Sequence, residues 1–320
     1  MNLHTSVWSY EDGLRHLAAY RPPHSRKYLA MYASEWDAIV TDPRLMRVPV
    51  DDHLVHRGDG VFETLLYDGG RIFLLAPHLQ RLRHSAAQIG LDLRIPDERL
   101  TLILEDLFSV ASADHALSRG LARVLLGRGP GGFSVDPAES PSPSLYIVVY
   151  QASPPFMETH PEGAKVVFSQ VAPKAGILAT VKTCNYLPNA LMKAEANRTG
   201  AHFALGVDET GHVTESFTEN IAAVDASGAL LIPPPDRHLP GTTLQRVSEL
   251  AEAAGIPVHS RKLTPDDLRG MSELLVVGTT ARVTSVTDLE GRSFPIGPIG
   301  KRLAKMLDDD ISNPKLLRCQ

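Results

Sequence analysis

The chain has 320 residues, 43% of them hydrophobic, and a formal net charge of -5. That length exceeds what one hydrophobic core usually organises, so two domains are expected. The mild acidity does not suggest a nucleic-acid polyanion as partner, and none is expected; two distant cysteines, Cys184 and Cys319, make no disulfide framework and fit a reducing cytoplasm.

Residues 1–27 read as an N-terminal extension, with a helix over residues 10–20 that stops at Pro22-Pro23. Glu11, Asp12 and Arg15 interrupt any apolar leader there, and the longest apolar runs, such as residues 145–150, are strand-sized. Neither a targeting signal nor a membrane span is therefore expected. Residues 28–76 read as strands and turns, with a hairpin at Tyr67-Asp68-Gly69-Gly70. Leu79, Leu82, Ala86 and Ile89 recur at helical spacing and Gly90 ends the run. A second helix is expected over residues 97–112, then strands over residues 122–127 and 144–150. Residues 151–163 hold Pro154, Pro155 and Pro161 and read as a linker. The domain boundary is placed near residue 155, giving an α+β chain: a smaller α/β domain at 28–155 and a larger mixed domain at 156–320.

Lys182 lies in Ala-Thr-Val-Lys-Thr-Cys-Asn-Tyr-Leu-Pro-Asn. The short β-branched run before it reads as a strand, and Pro188 is a favoured first residue of a helix. That helix repeats Leu191, Ala194 and Arg198 and stops at Gly200. Burial would depress the pKa of a lysine at such a strand end, which a Schiff-base lysine needs; a solvated surface charge is the plain alternative. Asp208-Glu209-Thr210-Gly211 is a turn sequence, so a hairpin is expected in which Val213 and Glu215 share a face. A carboxylate on an apolar face needs a cation, for which a pyridinium nitrogen is suited, whereas at a strand edge it faces water. Gly241-Thr242-Thr243 opens a helix with Val247, Leu250, Ala251 and Ala254 on one stripe. Its N-terminus is either an anion site or a simple threonine cap. Gly278-Thr279-Thr280 closes the apolar run 274–277, where loop hydroxyls meet the same anion. The Arg81 guanidinium suits a phosphate, or lies on a helix surface.

Two further patterns are set aside. Gly127-Arg128-Gly129-Pro130-Gly131-Gly132 matches G-x-G-x-x-G, but the prolines and serines of residues 133–143 open no helix, and the dinucleotide fingerprint requires one. Asp51, Asp52, His53, His56 and Asp59 fit no standard metal spacing and read as a turn with hydrogen-bonding side chains, so no metal is expected.

In their order, these motifs resemble a known family. His56-Arg57-Gly58-Asp59-Gly60-Val61-Phe62-Glu63-Thr64, followed by His78-Leu79-Gln80-Arg81-Leu82, is similar to the opening of class-IV (fold-type IV) pyridoxal 5'-phosphate (PLP) enzymes. Lys182-Thr183-Cys184-Asn185-Tyr186-Leu187 resembles their cofactor-lysine segment. Val213-Thr214-Glu215 with Glu219-Asn220-Ile221 resembles their pyridine-carboxylate strand, and Gly241-Thr242-Thr243 and Gly278-Thr279-Thr280 resemble their two phosphate loops. The resemblance covers residues 28–310. The family contains branched-chain aminotransferases, D-amino-acid aminotransferases and aminodeoxychorismate lyases. Met31-Tyr32-Ala33-Ser34, Thr41-Asp42-Pro43, Pro49-Val50-Asp51-Asp52-His53 and Gly129-Pro130-Gly131-Gly132-Phe133 are most similar to the plant-type D-amino-acid aminotransferase branch.

The resemblance implies a two-domain fold-type IV, D-amino-acid aminotransferase-like architecture. PLP sits in the cleft, and a partner subunit of a homodimer closes the site. It implies ping-pong transfer of an amino group from an amino acid to a 2-oxo acid, with a D-amino acid donor first and a branched-chain L-amino acid next. Lys182 would be the Schiff-base lysine and proton shuttle, Glu215 the partner of the pyridinium, and Tyr186 a hydrogen bond to the phenolic oxygen. Arg81, Thr242, Thr243 and Thr279 would hold the phosphate. The substrate pocket departs from the family patterns. The Arg-x-His carboxylate trap is absent near Gly131 and Phe133, and Phe62 and Leu121 replace tyrosines. Arg57, Arg123 and Arg128 are the remaining nearby cations. Arg128 is expected to take the substrate carboxylate, with Phe62, Thr280 and Ala281 in the pocket. Aminodeoxychorismate lyase activity, releasing pyruvate with the same lysine, is the alternative reaction, and a non-catalytic PLP-binding protein the alternative of another class.

Overall fold

The computed structural model describes residues 4–23 and 25–313. Cys319 lies outside them; Cys184 is a half-buried free thiol. Six strands form the first sheet: β1 (Tyr28–Ala33), β2 (Ala38–Val40), β3 (Gly60–Asp68), β4 (Arg71–Phe73), β5 (Arg119–Gly127) and β6 (Ser144–Gln151), in the order β2-β1-β6-β5-β3-β4. Helices Leu75–Gln88 and Asp97–His115 cover one face. The second helix does so through Leu100, Ile103, Leu104, Leu107, Phe108 and Ala111, a continuous stripe at helical spacing. Strand alternation splits β5 in two: Ala122, Val124 and Leu126 enter that helix-covered core, while Leu125 joins Met31, Tyr146 and Val148 on the opposite face. Arg123 shares the Leu125 face, two residues away, which points it toward the cleft.

The chain changes sheet between Gln151 and Ala164, through a connection holding the short helix Phe156–Thr159. The second sheet contains β7 (Ala164–Phe168), β8 (Phe203–Val207), β9 (Val213–Ser216), β10 (Asn220–Val224), β11 (Leu230–Ile232), β12 (Val258–Ser260), β13 (Glu273–Gly278), β14 (Arg282–Leu289) and β15 (Arg292–Ser293). Its order is β12-β11-β10-β13-β14-β7-β8-β9, with β15 on β14. A further pairing of Asn220 with Glu215 joins β10 to β9 and closes six of these strands into a ring. Helices Thr242–Ala253 and Pro298–Ser312 pack through Leu244, Val247, Leu303 and Leu307 onto the β10–β13 part of this sheet. The α+β, two-domain architecture expected from the sequence is the one found. Among the described residues no helix is long and apolar enough to cross a membrane.

Two local expectations are corrected. No strand precedes Lys182: residues Ile177–Thr180 form a short helix. The cause lies in the first sheet. β4 pairs only with residues 66–68 of β3, leaving the edge at residues 60–62 open. Residues 182–184 fill that edge: Phe62 N–H donates to the Lys182 carbonyl (2.9 Å) and Cys184 N–H to the Gly60 carbonyl (2.8 Å), and Val181 is buried in the first core. In the helix Leu187–Thr199, the Leu191, Ala194 and Arg198 stripe faces outward. The buried face is Asn189, Met192, Glu195 and Ala196. Asn189 donates to the Phe217 carbonyl, and Glu195 accepts from the Ser169 hydroxyl. Polar groups bonded in this way sit in a core without an apolar signature, although the Asn189 side-chain oxygen has no partner there.

Candidate active site

Residues 182–184 carry Lys182 across to the first sheet, so its side chain lies between the two sheets. The residue is 8% exposed. Its Nζ stands 3.5 Å from the Tyr186 hydroxyl and 4.6 Å from the centre of the Phe62 ring. Burial, with the Arg81 charge adding, pushes the amine down to about 8, against the opposing pull of Glu63 and Glu215. A neutral, nucleophilic amine is thus within reach near neutral pH. Tyr186, the residue before the helix Leu187–Thr199, is held edge-on to Phe62 at 4.9 Å, with the Lys174 ammonium 4.6 Å from its ring centre.

Glu215 lines the same cavity from β9. The carboxylate accepts the Leu239 N–H (3.1 Å) and an Asn220 amide N–H (3.5 Å), and no cationic side chain among the described residues reaches ion-pair distance. Burial raises its pKa, while His238, Lys174 and Lys182 pull it down. A half-buried acid lacking an ionic partner stands ready for a positive group brought in by a ligand.

The anion end is built from the helix Thr242–Ala253 and Arg81. Gly241 caps that helix, and among the described residues no side chain caps its first-turn N–H groups. Only glycine fits there, because a Cβ on residue 241 would lie 1.9 Å from the Asn220 amide oxygen. The first-turn N–H groups and the helix dipole therefore serve the cavity. Thr243 and Thr279 hydroxyls meet at 3.4 Å beside it. Arg81 carries five N–H donors. Its Nε and Nη2 donate to Glu63 at 2.7 and 2.8 Å, and Nη1 donates to the Pro240 carbonyl at 3.0 Å. One N–H on each Nη remains, which is an end-on fork of the kind that grips phosphate. Burial would raise the Glu63 carboxyl, but Arg81 and His78 outweigh it and hold it far below the usual range. Sequence reasoning gave Glu63 and His78 no role, although both stand in the motifs that carry the resemblance.

Lys182, Glu215, Arg81, Tyr186, Thr242, Thr243, Thr279, Thr280 and Phe62 all line this one space of about 180 Å³. Two expected substrate residues do not. Arg128 is spent: Asp59 takes two of its donors at 2.9 and 3.0 Å, and the carbonyls of Ile89 and Gly90 take others. It ties the end of the helix Leu75–Gln88 to the loop before β3. Ala281 is 6% exposed, and its carbonyl accepts the Thr284 hydroxyl. It packs in the core of the second sheet.

Arg123 is the cation the sequence reading passed over. It lines the cavity, its guanidinium lies 4.8 Å from the Phe62 ring centre, and its Nε is buried with no hydrogen-bond partner. Among the described residues no carboxylate reaches it. Arg57 instead points away, bonding the carbonyls of Phe133 and Ser134. The loop 127–132 opens no helix, and Gly129, at φ +103°, has the Ser142 carbonyl oxygen 1.9 Å from where a Cβ would stand. Its glycines therefore answer to backbone packing. Asp52 accepts the Leu54 N–H and the hydroxyls of Ser144 and Tyr146, as befits a hydrogen-bonding turn.

An amine, an acid awaiting a cation and an anion cradle around one space suit a phosphorylated pyridine aldehyde. Residues 60–289 match the family model of amino-transferase class IV, and the chain belongs to that family of PLP-dependent aminotransferases. It is 35% identical over 323 residues to the chloroplastic D-amino-acid transaminase of Arabidopsis thaliana, covering 97% of this chain and 83% of that one. It is 30% identical to the bifunctional aminodeoxychorismate lyase / D-amino acid transaminase of Mycobacterium tuberculosis, covering 85% and 96%. The PLP-bound structure of a hypothetical aminotransferase from Mycobacterium tuberculosis superposes with a TM-score of 0.77 at 29% identity, covering 88% and 98%.

Proposed function

We propose that this chain moves the amino group of an apolar D-amino acid to a 2-oxo acid in a ping-pong cycle. PLP, when bound, supplies an electron sink for charge developing at the donor's Cα. Lys182 Nζ would hold the cofactor and would carry the proton leaving the donor's Cα. Glu215 would stabilise positive charge on the pyridine nitrogen, and Tyr186 would offer its hydroxyl to the phenolic oxygen. The two free donors of Arg81, the first-turn amides, Thr242, Thr243 and Thr279 would hold the phosphate.

The observation that carries the substrate assignment is Arg123, a cation without a partner beside Phe62 and Lys182. A donor carboxylate satisfies it. Arg123 also lines a second, largely apolar cavity of about 560 Å³, bounded by Met31, Met46, Val48, Leu125 and Val148. Among the described residues an acidic side chain would find no second cation lining that cavity, so apolar and thioether side chains are favoured. The D configuration is supported by similarity to the Arabidopsis thaliana and Mycobacterium tuberculosis transaminases. Exposed Phe133 and Val135 fit an interface between two copies, and the unpaired Cys184 thiol suits a reducing compartment such as the cytoplasm.

A panel of D- and L-donors with 2-oxoglutarate and pyruvate tests this reading. D-methionine and D-leucine are expected to exceed D-aspartate and D-glutamate in kcat/KM. Faster turnover of D-aspartate would overturn the pocket assignment, and faster L-donors the stereochemistry. The bifunctional relative keeps the lyase reaction in view; release of pyruvate from aminodeoxychorismate, with no turnover by 2-oxoglutarate, would replace the transferase reading.

A further inference from the structure

Glu63 and His78 are buried and have no part in the reaction just described. They nonetheless sit in an unbroken line of side chains. Arg81 donates twice to Glu63, His78 Nδ1 lies 2.7 Å from Glu63 Oε2, and His78 Nε2 lies 3.3 Å from Thr242 Oγ1. The line starts on the helix Leu75–Gln88, passes through β3 and ends at the first residue of the helix Thr242–Ala253. The groups facing His78 are Glu63 from β3, Arg81 from its own helix, Lys182 from the crossing segment and the uncharged Thr242.

Hydrogen positions follow from these contacts. The Glu63 carboxylate only accepts, so His78 Nδ1 must carry a proton. Burial pushes His78 down, against Glu63, and the Arg81 and Lys182 charges push the same way as burial. The ring is therefore neutral near pH 7, and its Nε2 is a bare lone pair. The Thr242 hydroxyl then donates to Nε2 and turns only lone pairs to the anion end of the cavity. A second proton on the imidazole reverses the last link: Nε2–H donates to Thr242 Oγ1, and the Thr242 hydrogen is freed for the anion.

We propose that Glu63, His78 and Thr242 form a proton-coupled positioning relay, in which a dianion bound at the start of the helix Thr242–Ala253 draws one proton from solvent onto His78 Nε2 and turns the Thr242 hydroxyl toward itself. The bond formed is His78 Nε2–H; the bond broken is that of a hydronium ion or buffer acid, whose conjugate base stays in solution. The proposal rests on the reading of this end as the phosphate cradle. It makes His78 and Glu63 positioning residues, acting on the ligand through Thr242 and Arg81. A dianion near the ring favours the imidazolium by charge, as Glu63 already does from the other side.

Sulfate is the probe, because it stays dianionic and has no proton of its own to exchange. Its binding to the full chain freed of cofactor is followed by calorimetry in two buffers of different ionisation enthalpy. At about pH 6.5, well below the Lys182 value of about 8, that amine is already charged and contributes no uptake. Wild-type protein is expected to take up most of one proton per sulfate, with affinity rising up to about tenfold per unit fall in pH. His78→Gln keeps a donor for Glu63 but cannot titrate, so its affinity should be flat with pH and uptake lost. Thr242→Ala, which leaves the Glu63–His78 pair intact, should weaken sulfate binding about tenfold, and Thr242→Ser should restore it. Nitrogen NMR should show His78 passing from the neutral tautomer to imidazolium on sulfate addition. Sulfate binding with the same pH slope in wild type and His78→Gln would overturn the relay and leave the cradle standing. No sulfate binding at this end would overturn both.

Discussion

At the anion end of the cavity, Arg81, Glu63, His78 and Thr242 are joined by hydrogen bonds; at the other end, Arg123 keeps a buried Nε without a partner beside the face of Phe62. The first arrangement satisfies its own side chains before any ligand arrives, leaving two Arg81 donors and a helix N-terminus as the offered surface. That is preorganisation, and it suits a group held through every turnover. The second leaves a desolvated cation short of a hydrogen bond, which costs stability until a carboxylate restores it. Such a site suits a ligand that comes and goes. The difference is expected to separate residues whose loss removes chemistry or cofactor from those whose loss changes only the substrate's grip.

The largest effect is expected where the two ends meet. Lys182→Ala should lower turnover by on the order of 10³-fold or more, because the proton then has no carrier between donor and cofactor. Near-normal turnover would break the comparison at its centre. A pH measurement sharpens it: in the cofactor-free chain, amine reactivity toward pyridoxal should rise as pH passes upward through about 8, since only the deprotonated form attacks, where a solvated lysine would rise near about 10.4. Glu215→Gln comes next. PLP should stay bound while turnover falls on the order of 10²-fold, because a neutral amide cannot hold charge on the ring nitrogen. Full activity in this variant would make Glu215 a structural acid.

Arg81→Ala and Arg123→Leu set the two ends against each other directly. Loss of the Arg81 fork should weaken PLP by roughly 10–100-fold, with kcat at saturating PLP changed much less. Arg123→Leu should raise KM for every donor about tenfold while PLP affinity stays as it was. Identical phenotypes in the two variants would mean that the cavity has no division of labour.

That Lys182, Tyr186 and the two Gly-Thr-Thr loops share one cavity was legible because its parts are local. Gly241-Thr242-Thr243 and Gly278-Thr279-Thr280 place backbone and hydroxyl donors within three residues, and Lys182 and Tyr186 are four apart. Glu63 was silent because an acid between Phe62 and Thr64 reads as the outward side of a strand. Its partners, His78 and Arg81, lie 15 and 18 residues away on a helix whose rotation the strand pattern does not set. The strand expected before Lys182 was lost to a tertiary effect, the open edge of β3, that no window around residue 182 contains.

Arg123 and Arg128 mark the same limit on one strand and its following loop, five residues apart. Composition and spacing alone favour neither. Register decides: Gly60 pairs with Gly127, which brings Asp59 beside Arg128 and leaves Arg123 opposite Thr64. Arg128→Ala is therefore the smallest predicted effect on catalysis. The variant loses a partly buried ion pair with Asp59 and the contacts to the Ile89 and Gly90 carbonyls, at a cost of about 1–3 kcal/mol, read as a fall of a few degrees in Tm. KM and kcat should stay within about twofold of wild type, because the lost contacts brace the end of the Leu75–Gln88 helix and touch no substrate. The helix also carries His78 and Arg81, so a small weakening of PLP is the one functional trace expected. A donor KM raised as far as in Arg123→Leu would show that Arg128 leaves Asp59 to bind the carboxylate, and the separation of the two ends would fail at its substrate side.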